Sequence, residues 1–181
     1  MAENPKERAA SAIHAVIGVW HRGARTFYVK RSKKMQNYPL VWSLLSIQFD
    51  PSMVQDHLDL RAIQPLMTKM ADERLHGAAV QVTRYLSSGH CTDNPMRKHV
   101  FLHLYEIEFE TEPRPTPEFY VDAAWLDPDE YEQRAAGTTC GLCLRMWSDH
   151  CVRHGMAKHL FAPSLAPEHD ELRHRTTEDI L

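Results

Sequence analysis

Residues 12–31, AIHAVIGVWHRGARTFYVKR, predict a β-hairpin. Residues 12–20 are rich in β-branched side chains, residues 21–24 contain the glycine of a turn, and residues 26–31 return as a second strand. The hairpin leads into a basic run at residues 30–34, KRSKK. Such a run is either a solvated loop or an anion-binding site, and both interpretations stay open at this point.

The rest of the chain predicts strands and helices in mixed order. Residues from about Met53 to Leu75 favour helix. Pro65 predicts a break near Gln64 and a fresh helix from Pro65 to Leu75, because proline is tolerated in a first turn but not in a helix interior. The order strand, strand, helix, strand, strand, strand, helix predicts an α+β layered domain. The later elements are expected at residues 78–86, 99–110 and 119–126 for strands, with a loop at 87–95, and near residues 127 and 138–154 for helices.

The composition predicts one globular domain. The chain has 181 residues, of which 43% are hydrophobic and 25% charged, and its formal net charge is -3. This balance excludes disorder along the whole length and argues against a nucleic-acid polymer as partner. No apolar run approaches the roughly 20 residues that span a bilayer, so we expect no membrane partner. We assign residues 1–10 to a flexible tail, 11–160 to the domain and 161–181 to a C-terminal tail or docking arm.

Three segments resemble the Nudix superfamily in order and spacing. The hairpin is similar to the first hairpin of that family, and residues 38–44, YPLVWSL, are similar to its segment of tyrosine or tryptophan, proline, tryptophan and leucine. Residues 123–131, AAWLDPDEY, resemble the late family stretch in which a tryptophan precedes a helix cap. The resemblance implies a Nudix-like α/β/α sandwich with a mixed β-sheet, and a phosphorylated small molecule as ligand. The polar residues 1–11, which contain no apolar h-region, predict a cytoplasmic protein with reduced cysteines.

The catalytic box of that family is degenerate here. In the family, carboxylates one helical turn apart hold divalent metal ions that polarise a diphosphate and activate water. The corresponding residues 67–77, MTKMADERLHG, keep Asp72 and Glu73 but have no arginine–glutamate pair before them. The resemblance implies that Asp72 and Glu73 would be the catalytic residues and would hold Mg2+ or Mn2+. A solvated helix face explains the same residues equally well.

The resemblance also places substrate-binding residues around the hairpin. Arg31 would clamp a phosphate with its planar guanidinium, and Lys33 and Lys34 would act as point charges. Tyr38 and Trp125 would stack on a base or form the walls of the cleft. A more distant similarity is to isopentenyl-diphosphate isomerase, carried by His14 and Ala15, but the cysteine–glycine–histidine segment of that enzyme is absent.

Histidines and cysteines offer a different metal chemistry. Among 12 histidines, His99 and His103 share one face of a predicted strand, and His14 lies on the first strand. Imidazoles suit transition metals, so these three are candidate ligands, although the solvent side of a strand is the simpler reading. The residues Cys140, Cys143, Cys151 and His154 have zinc-like spacing but form one stripe of a predicted helix, which favours core packing.

Three functions therefore remain open. The protein binds, and in its catalytic form hydrolyses, a nucleotide-like or other diphosphate-containing molecule with a divalent metal. Alternatively it is a non-catalytic binding or assembly module, with a homo-oligomer as one form, or an enzyme repurposed around a histidine metal site.

Overall fold

The computed structural model describes residues 12–36, 38–92, 98–136 and 141–155, together with the backbone of residues 172–175. The strands are β1 (Ile13–Val19), β2 (His21–Arg22), β3 (Arg25–Arg31), β4 (Trp42–Ser43), β5 (Leu45–Phe49), β6 (Val80–Cys91), β7 (Val100–Phe109), β8 (Tyr120–Leu126) and β9 (Leu172–Arg175). The helices are α1 (Leu60–Arg74), α2 (Pro128–Ala135) and α3 (Leu142–Arg153), with a short 3-10 turn at Pro51–Met53. None of the helices described is long and apolar enough to cross a membrane.

The strands form two sheets. The larger has the order β5-β1-β7-β6-β9, in which β1 and β7 are parallel and the other neighbours are antiparallel. The smaller sheet has the order β2-β3-β4, and β8 pairs with the other edge of β3. The predicted α+β class with a mixed sheet is confirmed.

The larger sheet lies between two helical layers. Along β1, Ala15, Ile17 and Val19 pack into one apolar cluster with α3, whereas Val16 packs into a second cluster with α1. Alternate residues of a strand point to opposite faces, so α1 and α3 cover opposite sides of the sheet. This arrangement is the α/β/α sandwich that the sequence predicted.

Helix α1 corrects one prediction. The expected break near Gln64 is wrong, because the helix starts at Leu60, is capped by the side chain of Asp59, and continues through Pro65. Proline removes the hydrogen bond to the carbonyl of Arg61. Two contacts of the neighbouring side chain fix this turn, because Gln64 Nε2 donates to the carbonyl of Val80 at 2.8 Å and Gln64 Oε1 accepts from the amide of Val82 at 2.8 Å. The apolar face is buried as predicted, through Ile63, Leu66, Met67, Met70 and Ala71.

Strand β6 corrects a second prediction. The expected loop at residues 87–95 is wrong as far as Cys91, because Ser87 to Cys91 continue the strand and pair with β7, and Ser88 to Cys91 also pair with β9. Serine and glycine favour loops in isolation, but here strands from distant parts of the chain satisfy their backbone groups. Residues 93–97 lie outside the described part of the chain.

Helix α3 confirms the core reading for part of the cysteine stripe. Leu144, Trp147 and Cys151 are buried, whereas Cys143 is half-buried and His154 is exposed. Burial raises the pKa of the Cys151 thiol to about 12, which suits an inert core residue. The predicted start at Thr138 and the residue Cys140 lie outside the described residues.

Candidate functional site

A cavity of about 490 Å³ opens beside the edge strand β5. Residues of β1 and β7 line one side of it, and the ends of α1 and β3, the segment after β3 and the start of α3 line the others. Its volume falls within the range of small-molecule sites. The cavity is therefore the candidate functional site.

The charged lining of the cavity is mainly cationic. Four cationic residues and two carboxylate residues line it. They are Arg31, Lys34, Lys69 and Arg74, and Glu73 and Glu118. The formal charge of the whole chain is -3. The cavity therefore concentrates positive charge in a protein that carries a net negative one, and such focusing attracts anions.

Arg31 ends β3 at the wall of the cavity. The backbone amide of Arg31 donates to the carbonyl of Val41 at 2.9 Å. The β3–β8 register shifts between Lys30 and Arg31, and such an irregularity changes the direction of a side chain. The Nε atom of Arg31 is buried, and the side chain makes no ion pair within the described residues. Because the side chain lines the cavity, its guanidinium is a candidate group for binding an anion.

The surroundings of the Arg31 guanidinium disfavour its positive charge. Burial is the largest cause that lowers its pKa from the ordinary value, and the positive charge of Arg74 lowers it further. The neighbouring Cys143, Tyr120 and Tyr38 act in the opposite direction. Because arginine keeps its proton in proteins, the site retains a buried positive charge that an anion would stabilise.

Arg74 faces the same cavity from the last residue of α1. Its Nη1 donates to the carbonyl of Ser46 at 2.5 Å and to the hydroxyl of Tyr120 at 3.4 Å, and its guanidinium lies 4.9 Å from the centre of the Phe119 ring. These contacts fix the orientation of the planar group. Its Nε is buried without a hydrogen-bond partner, like that of Arg31.

Only one of the two acids predicted to be catalytic lies at the cavity. Glu73 lines the cavity, whereas its neighbour Asp72 does not and is exposed. Glu73 is also engaged, because Lys69 Nζ lies 3.8 Å from Glu73 Oε1 one turn earlier on α1. Within the part of the chain that the structure describes, no group of three or more histidine, cysteine or carboxylate side chains could hold a metal ion. The assignment of Mg2+ or Mn2+ to Asp72 and Glu73 stays a prediction, because Mg2+ needs as few as one or two carboxylates beside water and substrate phosphates.

The predicted substrate-binding residues are partly brought together. Arg31 and Tyr38 line the cavity, and Tyr38 adopts a left-handed backbone with φ 50°. Lys33 does not line it, and the next residue, Lys34, takes that place. Trp125 lies elsewhere, because its ring packs at 4.5 Å from that of Trp20 and its Nε1 donates to Glu112 at 3.1 Å.

The histidines predicted to bind metal form a stack of rings rather than a converging site. The rings of His99 and His90 lie 5.3 Å apart, those of His90 and Phe101 lie 4.2 Å apart, and those of Phe101 and His14 lie 4.7 Å apart. His103 follows at 6.4 Å from His14. Two rings therefore separate His99 from His14, and none of the three lines the cavity. The metal assignment to His14, His99 and His103 stays a prediction that this arrangement does not favour.

Sequence reasoning missed Arg74 and Cys143 as cavity residues. Arg74 follows Glu73 and lies four residues after the buried Met70, so helical spacing places it at the border between the apolar and polar faces. This border position is the sequence signal that could have identified Arg74 as a cavity residue. Cys143 was assigned to core packing, but its half-buried thiol lies 3.1 Å from Ser43 Oγ at the cavity wall.

Comparisons with known proteins identify the fold. No family model and no curated protein sequence matches the chain. Among solved structures, the chain is similar to a NUDIX hydrolase from Nitrosomonas europaea, with 14% identity over 82% of this chain and 93% of that one and a TM-score of 0.58. It is also similar to a MutT protein from Methanosarcina mazei Go1, with 11% identity over 81% and 96% of the two chains and a TM-score of 0.57. The chain therefore has a Nudix-like fold.

Proposed function

We propose that the cavity binds a small molecule that carries a diphosphate group, and that Arg31 and Arg74 hold this group. The observation that carries the proposal is the pair of arginine side chains that line one cavity, neither of which forms an ion pair among the described residues. A partly buried cation without a carboxylate partner is unfavourable. An anion held by the two guanidinium groups would neutralise this charge.

The remaining cations support the same role. Lys34 and Lys69 lie at the same cavity and add positive charge without the fixed geometry of a guanidinium. A diphosphate carries several acceptor oxygens, so it can accept from two arginines at once. The proposal is the binding part of the first function predicted from the sequence, and it holds with or without catalysis.

Hydrolysis of the bound diphosphate is a second candidate. Its support is the position of Glu73 in the lining of the same cavity, together with the Nudix-like fold. The requirement for Mg2+ or Mn2+ stays a prediction, because the described residues show no group of metal ligands beside Glu73. A homo-oligomer also stays a prediction.

Calorimetric titration with inorganic diphosphate tests the binding proposal. We expect Arg31→Gln to weaken binding about ten- to a hundredfold, which is the range for loss of a charge-assisted hydrogen bond. Arg61→Gln is the matched control, because Arg61 is exposed on the first turn of α1 and does not line the cavity. Equal affinities of the wild-type protein and Arg31→Gln would overturn the proposal.

A further inference from the structure

Two histidines from neighbouring strands meet at one end of the larger sheet. His90 lies on β6 opposite Phe101 of β7, and His99 lies two residues before Phe101. The backbone of His99 continues the sheet, because its carbonyl accepts from the amide of Ile13 at 2.7 Å. Residues two apart on a strand point to the same face, and diagonal neighbours on paired strands lie within reach of long side chains. The register therefore places the imidazoles of His90 and His99 side by side on one face.

Ring stacking fixes the orientation of these two imidazoles. The ring of His90 lies 4.2 Å from that of Phe101, and the angle between the two planes is 10°. The ring of His99 lies 5.3 Å from that of His90 at an angle of 13°. Side chains that are already ordered lose little entropy when they bind a common ligand. The pair is therefore preorganised.

The nearest nitrogens of the two rings have a separation that suits one metal ion. His90 Nε2 and His99 Nδ1 lie 3.1 Å apart. Bonds between zinc and imidazole nitrogen are about 2.0–2.1 Å long, so two nitrogens on one tetrahedral ion lie about 3.3 Å apart. A movement of about 0.2 Å converts the observed separation into that of a chelate. Without an ion, the same two nitrogens share a hydrogen bond whose donor depends on the tautomer.

The surroundings of the pair favour a transition metal. Both imidazoles are half-buried, so an ion has access from solvent, and neither lines the cavity. Among the residues that the structure describes, no third histidine, cysteine or carboxylate completes the set, so water fills the remaining coordination positions. Neutral imidazoles suit zinc, copper and nickel, whereas Mg2+ prefers oxygen ligands.

We infer that His90 and His99 chelate one divalent transition-metal ion of the Zn2+ type through His90 Nε2 and His99 Nδ1. Each ring stays neutral on binding and keeps its one N–H on the other nitrogen, which is Nδ1 in His90 and Nε2 in His99. The inference is independent of the diphosphate proposal, since neither residue lines the cavity. It also gives His99 a different partner from the predicted His14, because two rings separate His99 from His14 whereas His90 contacts it directly.

Calorimetric titration of the full chain with Zn2+ tests the inference. We expect His90→Gln and His99→Gln each to weaken binding at least about tenfold, because the second nitrogen of a chelate binds within the same molecule. His76→Gln is the matched control and should leave the affinity unchanged, since His76 is an exposed histidine after α1. Circular dichroism of the three variants establishes that they fold.

Nitrogen NMR of the wild-type imidazoles identifies the ligating atoms without any substitution. At one equivalent of Zn2+, we expect the resonances of His90 Nε2 and His99 Nδ1 to shift together and those of His76 to stay in place. An unchanged Zn2+ affinity in either pair variant, or shifts confined to other histidines, would overturn the inference and leave the pair with a hydrogen-bonding role only.

Discussion

Lys69 Nζ lies 3.8 Å from Glu73 Oε1 across one turn of α1, at the wall of the cavity. The resemblance to Nudix proteins puts a carboxylate near the position that Lys69 or its neighbour occupies. A lysine there repels a metal ion and pairs with the remaining acid. The ion pair therefore leaves Glu73 with a cationic neighbour on the cavity side of α1.

The first prediction concerns the replacement of Lys69 by a carboxylate. We expect Lys69→Glu to strengthen Mg2+ binding at least about tenfold, because the substitution removes a positive charge and adds an oxygen ligand one turn from Glu73. Calorimetric titration with Mg2+ measures the effect. Lys33→Glu makes the same charge change at an exposed residue that does not line the cavity. An equal gain in both variants would show that only net charge matters.

The second prediction concerns the acid pair. We expect Glu73→Gln to strengthen binding of inorganic diphosphate about two- to fivefold, because it removes a negative charge from the cavity and releases Lys69 from its exposed ion pair. Asp72→Asn is the control and should leave the affinity unchanged, since Asp72 does not line the cavity.

The same two variants test the hydrolase candidate. Any metal-dependent hydrolysis of diphosphate compounds by the wild-type protein should be lost in Glu73→Gln and kept in Asp72→Asn. Hydrolysis that survives in Glu73→Gln would remove Glu73 from the catalytic role.

The third prediction concerns the stability of the histidine stack in acid. Burial, followed by the nearby imidazoles of His57 and His14, lowers the pKa of His103 to about 3. Burial is also the main cause that lowers the pKa of His14. Both folded-state pKa values lie below the unfolded value of about 6.5, so the unfolded chain binds more protons once the pH falls below that value.

The free energy of unfolding should therefore decrease as the pH falls from about 6.5 towards 4. The contribution of His103 approaches about 1.4 kcal/mol per pH unit in this window. Urea denaturation at several pH values measures it. His103→Gln should flatten the slope by nearly that amount, while His76→Gln, an exposed residue after α1, should not. A slope that is unchanged in His103→Gln would contradict the assignment.

The fourth prediction uses the thiol at the cavity wall. Cys143 is half-buried, whereas Cys91 and Cys151 are 0% and 2% exposed. In a Cys140→Ser background, we expect iodoacetamide to label Cys143 first, because it is the most accessible of the three described thiols. Inorganic diphosphate at saturation should slow the labelling several-fold. Labelling at an unchanged rate would show that diphosphate does not occupy the cavity.

The sequence predicted those parts of the fold that depend on local patterns. The hairpin, the apolar face of α1 and the long strand β7 all follow from periodicity, and the side chain of Asp127 caps α2 as the sequence indicated. The extent of β6 could not be predicted, because residues 87–91 are strand only through pairing with β7 and β9. The passage of α1 through Pro65 likewise depends on contacts with β6 that lie 16 and 18 residues away.

The sequence predicted those site residues whose position follows from the strand or helix that carries them. Arg31 and Glu73 end up at one cavity because the hairpin and α1 are placed as in the resemblance. Trp125 was predicted on the correct strand but on the wrong surface, since its ring packs against Trp20. That Arg31 and Arg74 line the same cavity was not predictable, because the two residues lie on elements far apart in the sequence.

A crystal structure of the protein with saturating inorganic diphosphate tests the central claim most directly. The account predicts diphosphate density in the cavity, with oxygens within hydrogen-bond distance of the guanidinium groups of both Arg31 and Arg74. Density elsewhere on the protein, or a cavity without diphosphate at a saturating concentration, would contradict it.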